Sequence, residues 1–336
     1  MKNRKKWIMK KNNTIKEISE KLLSANSVLI FPHVLVDGDA LGSSIALCRA
    51  LKQKGKMAYI VFEDEIPEYL EFLDDGSCTF DKDIISEPDV CVSVDCADPE
   101  RFALRKDKFL EGKTTLCIDH HKTSNYFADM NYIDSSAAAT AEIIYDLLCE
   151  MGVTIDKTTG EAIYAAILTD TGNFQYSNTR IESHMITIKL YELGIDHSYV
   201  SRMLYQNNRI EKLHISSKMF NTLKSMVKGK AVMVYVTSAM LEEAGALMED
   251  TEGTSEILRN ISGVEVSIFA KETAPNETKL SMRSKEWADV SEIAMKYKGG
   301  GHTHAAGCTI NKPIFEAMKL IEADVLEYFA KNNEEK

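Results

Sequence analysis

The stretch Val28-Leu-Ile-Phe-Pro-His33-Val-Leu-Val-Asp37-Gly-Asp39-Ala-Leu-Gly42 decides the fold of the first half of the chain. Its apolar start, Val28–Phe31, predicts a short buried strand, and the residues from Gly42 to Lys54 predict a helix. One histidine and two aspartates fall in the connection. Because the two aspartates are two positions apart, we expect them to point the same way in an extended loop.

The same order of apolar strand, polar strand end and helix continues along the first half. Further strands are predicted at Met57–Phe62, Asp89–Val94 and Thr114–Ile118, with helices at residues 14–25, 137–151 and 159–168. Alternating strands and helices are typical of a mostly parallel sheet. Ligands bind beyond the carboxyl ends of the strands in such sheets, so we expect polar residues at those ends to converge.

The second half predicts a smaller region with its own sheet. Strands are predicted at Ala231–Val236, Val264–Ala270 and Thr278–Arg283, and helices at residues 238–245, 290–297 and 313–329. The predicted fold class is therefore α/β, with a mostly parallel N-terminal sheet and a smaller α/β C-terminal domain. We predict a first domain at residues 14–195, a helical connection at 196–228 and a second domain at 229–331.

Composition narrows the class of protein. The chain has 336 residues and a formal net charge of −11, which argues against coating of long nucleic acid by counterion release. Its seven cysteines are scattered, which favours reduced thiols over disulfides or a zinc knuckle. No apolar run approaches the ~18 residues of a membrane span, and the basic start Met1–Lys6 is not followed by the apolar region of a signal peptide. We expect a frayed N-terminal tail and a cytoplasmic protein.

Four short runs place Asp or His where a predicted strand or helix ends. They contain His33, Asp37 and Asp39; Asp95; Asp119, His120 and His121; and Asp170, which precedes Thr171-Gly172. Carboxylate and imidazole ligands together suit two divalent cations that hold a phosphate ester, and the imidazoles favour Mn²⁺ over Mg²⁺. Each run alone also has an ordinary explanation, namely a cap or a turn for the aspartates and an exposed surface for the pair of histidines. Four such runs at one edge of a sheet favour the metal site.

Two motifs in the second half contain groups that bind phosphate. They are Ser281-Met-Arg283-Ser and Lys298-Gly299-Gly300-Gly301-His302-Thr-His304-Ala-Ala-Gly307. The guanidinium of Arg283 can bind a phosphate through parallel hydrogen bonds, and His302 can donate another. The three glycines would let backbone N–H groups approach the phosphate. A helix stop followed by a turn is the alternative explanation for the glycines.

Taken in this order, the runs resemble those of the DHH-family phosphoesterases, named for the triplet at Asp119–His121. The two C-terminal motifs resemble the DHH-associated substrate-binding domain. The resemblance covers about residues 14–330, and the layout is most similar to the compact enzymes that degrade very short RNA and dephosphorylate 3′-phosphoadenosine 5′-phosphate. One departure is Val36, which stands where many relatives have proline before the aspartate.

The resemblance implies a role for each of these residues. His33 and Asp37 would hold one Mn²⁺, and Asp39, His120 and Asp170 would hold a second. Asp95 would bridge both ions and, with His121 on the scissile phosphate, would be catalytic. The implied substrate-binding residues are Ser281, Arg283, Gly299, Gly300, Gly301, His302 and His304.

The resemblance also implies a substrate class, namely short single-stranded RNA or small adenine nucleotides, without a membrane partner. It allows for a homodimer. A phosphodiesterase for cyclic di-adenylate or linear pApA would use the same metals and stays open as the alternative. An inorganic pyrophosphatase would carry a basic C-terminal motif in place of Gly301-His302, and a nucleotide-binding regulator without catalysis would lack some of the ligands.

Overall fold

The computed structural model describes residues 12–332, so the tail predicted at Met1–Lys6 lies outside the described residues. The helices in this range are α1 (Ile15–Ser24), α2 (Gly38–Gln53), α3 (Lys106–Glu111), α4 (Thr140–Glu150), α5 (Lys157–Asp170), α6 (Ile181–Glu192), α7 (His197–Tyr205), α8 (Ile210–Phe220), α9 (Ser238–Ala244), α10 (Thr254–Arg259), α11 (Val290–Met295) and α12 (Ile314–Asn332). The strands are β1 (Ser27–Phe31), β2 (Met57–Val61), β3 (Cys78–Thr79), β4 (Val90–Val94), β5 (Thr114–Asp119), β6 (Met130–Ile133), β7 (Lys224–Met226), β8 (Ala231–Val236), β9 (Val266–Ala274), β10 (Glu277–Ser284), β11 (Gly300–His302) and β12 (Ala305–Ile310).

The chain folds into two compact units, which divide between Asn207 and Asn208. Unit 1 is the part before this point and unit 2 is the part after it. The division into residues 14–195, 196–228 and 229–331 stays a prediction.

The sheet of unit 1 is parallel throughout, in the strand order β3-β2-β1-β4-β5-β6. This confirms the predicted α/β class with a parallel N-terminal sheet. Side chains of β1 alternate between its two faces, as the period of two requires. Val28 and Ile30 pack into the core beneath α1, α2, α4 and α5, whereas Leu29 and Phe31 pack with Phe102 and Phe109 on the other face.

Helices α2 and α5 pack against each other so closely that a glycine is needed between them. A Cβ atom at Gly42 would overlap the backbone carbonyl oxygen of Ala162 and would lie 3.0 Å from the Cβ of Ala166. This contact brings the first turn of α2, which carries Asp39, next to the last turn of α5, which ends at Asp170.

Unit 2 contains a mixed sheet in the order β11-β12-β10-β9-β8-β7. Strands β8 and β9 run parallel, and the other neighbours pair antiparallel. Leu280 and Met282 of β10 pack with α11 and α12 on one face of the sheet. Ser281 and Arg283, which alternate with them, lie on the opposite face and are partly exposed. We call this second face of β10, β12 and β11 the open face of unit 2.

Two local predictions around the strand ends are wrong. The connection after β1 is not an extended loop to Gly42, because α2 already begins at Gly38 with Asp37 as its N-cap. The helix predicted from Ala137 begins at Thr140, and Asp134 caps only a local turn through the amide and hydroxyl of Ser136. The amides at the start of α4 have a different partner, described below.

Among residues 12–332, no helix is both long and apolar enough to cross a membrane. All seven cysteines of the chain are free thiols, and five of them are buried. Burial raises the pKa of Cys91 to about 12, so this thiol stays protonated and acts as a small apolar side chain.

Candidate metal centre

The predicted ligands lie at the carboxyl edge of the sheet of unit 1. His33 and Asp95 follow β1 and β4, and Asp119 is the last residue of β5. The amide of Asp95 donates to the carbonyl of Ile118 at 3.0 Å, which holds Asp95 directly beyond β4. Its φ of 55° is left-handed, a conformation that costs a non-glycine residue about 1–3 kcal/mol. Strain of this kind is concentrated at functional sites, where the surrounding structure holds it in place.

Three groups of carboxylate and imidazole atoms form at this edge, and the atoms of each group lie within 4.8 Å of one another. The groups are His33, Asp37 and Asp95; Asp39, His120 and Asp170; and Asp95, His120 and His121. The first two groups contain all six residues that were predicted as metal ligands.

The two oxygens of Asp95 face different groups. Its Oδ2 lies 3.8 Å from Nε2 of His33, and its Oδ1 lies 3.6 Å from Nε2 of His120. These distances are too long for strong hydrogen bonds. They match the ~3–4 Å separation between neighbouring ligands around a cation that each contacts at about 2.1 Å. Asp95 could therefore contact two ions at once.

The imidazoles of His33 and His120 are oriented from behind by backbone carbonyls. Nδ1 of His33 lies 2.7 Å from the carbonyl oxygen of Val34, and Nδ1 of His120 lies 3.2 Å from that of Ala137. With the proton on Nδ1, each Nε2 presents its lone pair to the carboxylates. Metal-binding histidines are held in this way.

Asp39 is fixed by the N-terminus of α4. Its Oδ2 accepts the amide of Thr140 at 2.6 Å, and its Oδ1 accepts the amide of Ala141 and the hydroxyl of Ser43, both at 3.0 Å. The carboxylate thus replaces the missing N-cap of α4 and is stabilised by the helix dipole. Because Asp39 lies in the first turn of α2, it faces His120 at 3.9 Å, whereas Asp37 faces His33 at 3.5 Å.

The crowded carboxylates repel one another when they are ionised. Burial raises the pKa of Asp170 to about 7, with His120 opposing and Asp95 adding to the shift. Burial and the charges of Asp95 and Asp170 raise the pKa of Asp39 well above its usual range. Divalent cations placed among these groups would favour the ionised forms. The residues present therefore fit a pair of divalent cations, by donor type and by electrostatics.

His121 has a different environment from His120. Its Nδ1 lies 2.7 Å from Oδ1 of Asp119, and this hydrogen bond raises the pKa of His121 to about 9, so the ring is protonated near pH 7. The other oxygen of Asp119 is buried and has no hydrogen-bond partner among the described residues. The negative charge of Asp119 is thus compensated by His121. This supports the predicted difference in role between the two adjacent histidines.

Two residues at this edge were missed in the sequence. Thr140 donates its hydroxyl to Oδ1 of Asp95 at 2.7 Å, which orients that carboxylate. The backbone oxygen of Arg101 accepts the amide of Val34 at 2.8 Å, which places this exposed arginine beside the connection after β1. Burial and the contact between His33 and Asp37 dominate the pKa values of that pair, and the guanidinium of Arg101 adds a smaller contribution that lowers both.

Local sequence offered a weak signal for one of these residues. Arg101 follows Asp95 closely, in the polar stretch Asp98-Pro-Glu-Arg101, so it was available as a phosphate-binding candidate. Thr140 had no such signal, because its contact with Asp95 joins positions far apart in the chain.

The predicted substrate-binding residues lie in unit 2, on or beside the open face. Arg283 donates from Nε to Glu256 at 3.1 Å and keeps part of its guanidinium exposed. His302 is exposed, and His304 is held through Nδ1 by the hydroxyl of Ser284 at 2.8 Å. The three glycines of this motif have different surroundings. Gly299 and Gly301 leave no room for a Cβ atom against β12, whereas Gly300 faces open space.

Comparison with known proteins identifies the family. The chain matches the model of the DHH family, N-terminal domain, over residues 27–167 and the model of the DHHA1 domain over residues 228–331. It is 33% identical, over 84% of each chain, to the bifunctional oligoribonuclease and PAP phosphatase NrnA of Thermus thermophilus. The chain belongs to the DHH family and is a metal-dependent hydrolase, which confirms the resemblance seen in the sequence.

Two further proteins are similar over most of the chain. An exopolyphosphatase-related protein from Bacteroides fragilis has the same fold, with a TM-score of 0.87, 25% identity and coverage of 94% of this chain and 96% of its own. The cyclic-di-AMP phosphodiesterase PdeA of Listeria monocytogenes is 24% identical over 93% of this chain and 49% of its own length.

Proposed function

We propose that this chain is a two-metal phosphoesterase that uses Mn²⁺, hydrolyses short oligoribonucleotides to mononucleotides and removes phosphate from 3′-phosphoadenosine 5′-phosphate. The observation that carries the proposal is Asp95, whose two oxygens face the two groups of predicted ligands. The similarity to the Thermus thermophilus oligoribonuclease and PAP phosphatase supports this substrate class. Two imidazoles in the ligand set favour Mn²⁺ over Mg²⁺.

In this proposal, His33, Asp37 and Asp95 would hold one cation. Asp39, His120 and Asp170, together with Asp95, would hold the second. When bound, the cations would supply Lewis acidity toward the phosphoryl oxygens and lower the pKa of the attacking water. Thr140 orients the carboxylate of Asp95 through its 2.7 Å hydrogen bond.

Protonated His121 contacts the phosphate. Its Nδ1 is engaged by Asp119, so Nε2–H is the donor that remains for a non-bridging phosphoryl oxygen. Negative charge on that oxygen grows during attack, and a donor already in place stabilises it. Arg101 provides a second cationic donor at the same edge, where its guanidinium can bind a phosphate oxygen.

Within unit 2, we assign substrate recognition to the open face. Arg283 and His302 donate to phosphate, and Ser281 lies on the same face between two paired strands. The backbone of Gly300 is accessible because no atom lies where its Cβ would be. Gly299 and Gly301 serve the site by allowing β11 to approach β12, and Ser284 orients His304.

A phosphodiesterase for cyclic di-adenylate or linear pApA is the second candidate. The similarity to the Listeria monocytogenes phosphodiesterase favours it, because that protein is similar over 93% of this chain. Both candidates use the same cations and differ only in the substrate that unit 2 selects.

The test is a substrate panel on metal-depleted protein, with and without added Mn²⁺. The panel contains 3′-phosphoadenosine 5′-phosphate, RNA of two to five nucleotides, linear and cyclic di-adenylate, and pyrophosphate. The main proposal predicts Mn²⁺-dependent turnover of the bisphosphate nucleotide and of all RNA lengths. Turnover confined to the di-adenylates would select the second candidate, and no Mn²⁺-dependent turnover of any substrate would contradict the two-metal account. Sedimentation of the same preparation tests the homodimer, which stays a prediction.

A further inference from the structure

Unit 2 contains a cavity of about 490 Å³ beside the predicted substrate-binding glycines. Its lining includes Lys279, Tyr297, Lys298, Gly300, Gly307 and Thr309. We call it the lysine cavity. Neither lysine belongs to the set of substrate-binding residues proposed above.

Sheet register explains how these residues come together. Lys279 of β10 pairs with Thr309 of β12, and Gly307 of β12 pairs with Gly300 of β11. Residues two apart on a strand share a face. Lys279 therefore lies on the open face with Ser281 and Arg283. The paired glycines contribute backbone without side chains to the cavity, and Lys298 enters it two residues before Gly300.

The charge of the lysine cavity is unbalanced. Of the described residues that line it, two are lysines and none is Asp or Glu. Neither ammonium group has a hydrogen-bond or ion-pair partner within residues 12–332. Of the other described lysines of unit 2, six pair with carboxylates, as in Lys224 with Glu322 and Lys271 with Glu252, and five do not, namely Lys212, Lys228, Lys230, Lys285 and Lys319. What distinguishes Lys279 and Lys298 is that both line one cavity that no carboxylate of the described residues lines, and this combination suits an anion.

A cavity of unit 1 shows the opposite arrangement. It measures about 300 Å³ and is also lined by cationic residues, Arg49 and Lys52. There, however, Arg49 binds Asp75 and Asp156, each at 2.7 Å, and Lys52 binds the hydroxyl of Ser77 at 2.7 Å. Those charges stabilise the fold and leave no excess for a ligand. The cations of the unit 1 cavity therefore belong to a structural ion-pair cluster, whereas those of the lysine cavity are available to a ligand.

We propose that the lysine cavity binds an internal phosphodiester of a single-stranded oligoribonucleotide, together with the nucleotide next to it. The volume is in the range of sites for small ligands of nucleotide size. Tyr297, whose hydroxyl donates to Asp324 at 2.5 Å, adds a fixed aromatic ring to the lining. Bases stack on such rings. The inference rests on the proposed function, because it assigns this part of unit 2 to longer RNA substrates.

The spacing along β10 separates this site from the one around Arg283. Lys279 and Arg283 are four residues apart on the same face, which is roughly 13 Å along a strand. Because Arg283 is held by Glu256 through Nε, the two cations are placed to bind different phosphates of one extended strand. The lysine cavity should therefore matter for RNA of several nucleotides and not for 3′-phosphoadenosine 5′-phosphate.

The experiment measures binding without turnover. Fluorescence anisotropy of a labelled RNA pentamer is followed with the full-length protein in EDTA, at several salt concentrations. The variant Lys279→Gln/Lys298→Gln should bind the pentamer about tenfold more weakly, and its salt dependence should be lower by about 0.7 per lost phosphate contact. Arginine at both positions should restore binding, because it keeps the charge. The matched control is Lys319→Gln/Lys331→Gln, which removes two charges from α12 on the other face of the sheet.

Each outcome decides the proposal. Equal pentamer affinity and equal salt dependence in the glutamine variant and the control would overturn it. Equal weakening of 3′-phosphoadenosine 5′-phosphate and pentamer binding would overturn the assignment to RNA, because the cavity would then hold a mononucleotide. Since no hydrolysis is involved, loss of pentamer binding in a protein that fails the substrate panel would leave this inference standing while the proposed function fails.

Discussion

The carboxyl edge of unit 1 and the open face of unit 2 hold their predicted functional residues in different ways. At the carboxyl edge, Asp39 and Asp95 are only 1% and 2% exposed and are oriented by amide and hydroxyl donors. On the open face, His302 is exposed and Arg283 is held by a single carboxylate on one side. The first region is buried and crowded with mutually repelling carboxylates, whereas the second is accessible to solvent.

This difference predicts a division of labour. A change at the carboxyl edge should act on the chemical step for every substrate, because the cations and the phosphate need that geometry. A change on the open face should act on substrate affinity, because it removes contacts made equally before and during reaction.

Replacement of Asp95 should have the largest effect on the chemical step, and this effect should differ most from that of changes on the open face. Asp95→Asn can still accept the hydrogen bond from Thr140, but it removes the charge shared by the two ligand groups. We expect kcat to fall by about a thousandfold or more, equivalent to about 4 kcal/mol, for both RNA and 3′-phosphoadenosine 5′-phosphate. Without divalent cations the melting temperature should not fall, because one member of a repelling carboxylate cluster has been neutralised. Steady-state kinetics and thermal unfolding, each with and without Mn²⁺, measure both effects.

Asp107→Asn is the control for this change, since Asp107 is exposed in the first turn of α3. It should leave both kinetics and the melting temperature unchanged. Near-normal turnover by Asp95→Asn would show that Asp95 does not bridge the cations. Stabilisation of that variant by Mn²⁺ to the same degree as the unmodified protein would contradict the ligand assignment as well.

Local sequence was sufficient to predict a set of residues that lie together at the carboxyl edge, because each falls near the end or start of an element whose period is visible in the sequence. For Asp37, the explanation as a helix cap and the explanation as a predicted metal ligand are compatible. Its Oδ1 caps α2 through the amide of Ala40, while its Oδ2 faces His33. One carboxylate can therefore cap the helix and still present an oxygen to the predicted metal site.

Contacts between distant segments could not be predicted in this way. The start of α4 was misplaced because its amides are capped by Asp39, and nothing near Thr140 in the sequence reports that partner. Likewise, Gly299 and Gly301 were assigned only to phosphate access or a turn. Their lack of a side chain is also explained by the approach of β12, a strand that was not predicted.

The packing of α2 on α5 offers an indirect way to disturb the carboxyl edge. Gly42→Ala would place a Cβ atom against the backbone oxygen of Ala162, which cannot move alone. We expect a loss of about 1–3 kcal/mol in the free energy of unfolding and weaker Mn²⁺ binding, because Asp39 and Asp170 would be moved apart. Urea unfolding and calorimetric titration with Mn²⁺ measure the two effects.

Gly160→Ala is a matched control on α5. Its new Cβ would meet only side-chain atoms, the nearest being Cγ2 of Ile195 at 2.9 Å, and these can shift. The gain in helix propensity of about 1 kcal/mol offsets this crowding, so stability should change little. An equal loss of unfolding free energy in both variants would show that the close approach of Gly42 to the backbone of Ala162 does not determine how α2 packs on α5.

On the open face, Arg283→Ala should change affinity more than rate. Loss of the guanidinium should raise KM for 3′-phosphoadenosine 5′-phosphate by about tenfold, since hydrogen bonds to charged groups contribute roughly 1.5–3 kcal/mol and Glu256 loses its partner at the same time. Arg283→Lys should be intermediate, because lysine keeps the charge but not the planar pair of donors. Arg259→Ala, in α10, is the control and should leave KM unchanged. A large fall in kcat with constant KM would place Arg283 in the chemical step and remove the distinction between the regions.

The smallest expected effect lies at the opposite end of the sheet of unit 1, away from the carboxyl edge. Asp89 accepts the amide of Asn26 at 2.9 Å and the ammonium of Lys113 at 2.8 Å, and these bonds lower its pKa to about 2. Because the folded pKa lies below the unfolded value of about 3.9, the stabilisation is complete above pH 4 and is lost as pH falls toward 2. Asp89→Asn should therefore cost about 1 kcal/mol of unfolding free energy at pH 7, a value kept small by the exposure of Lys113, and less at pH 3.

The difference between the urea midpoints of the two proteins should be constant from pH 7 to pH 5 and then shrink. High salt should reduce it, and Lys113→Gln should remove only the salt-dependent part. A difference that grows on acidification would reverse the sign of the linkage, and a change in kcat at pH 7 would show that this end of the sheet is coupled to the carboxyl edge.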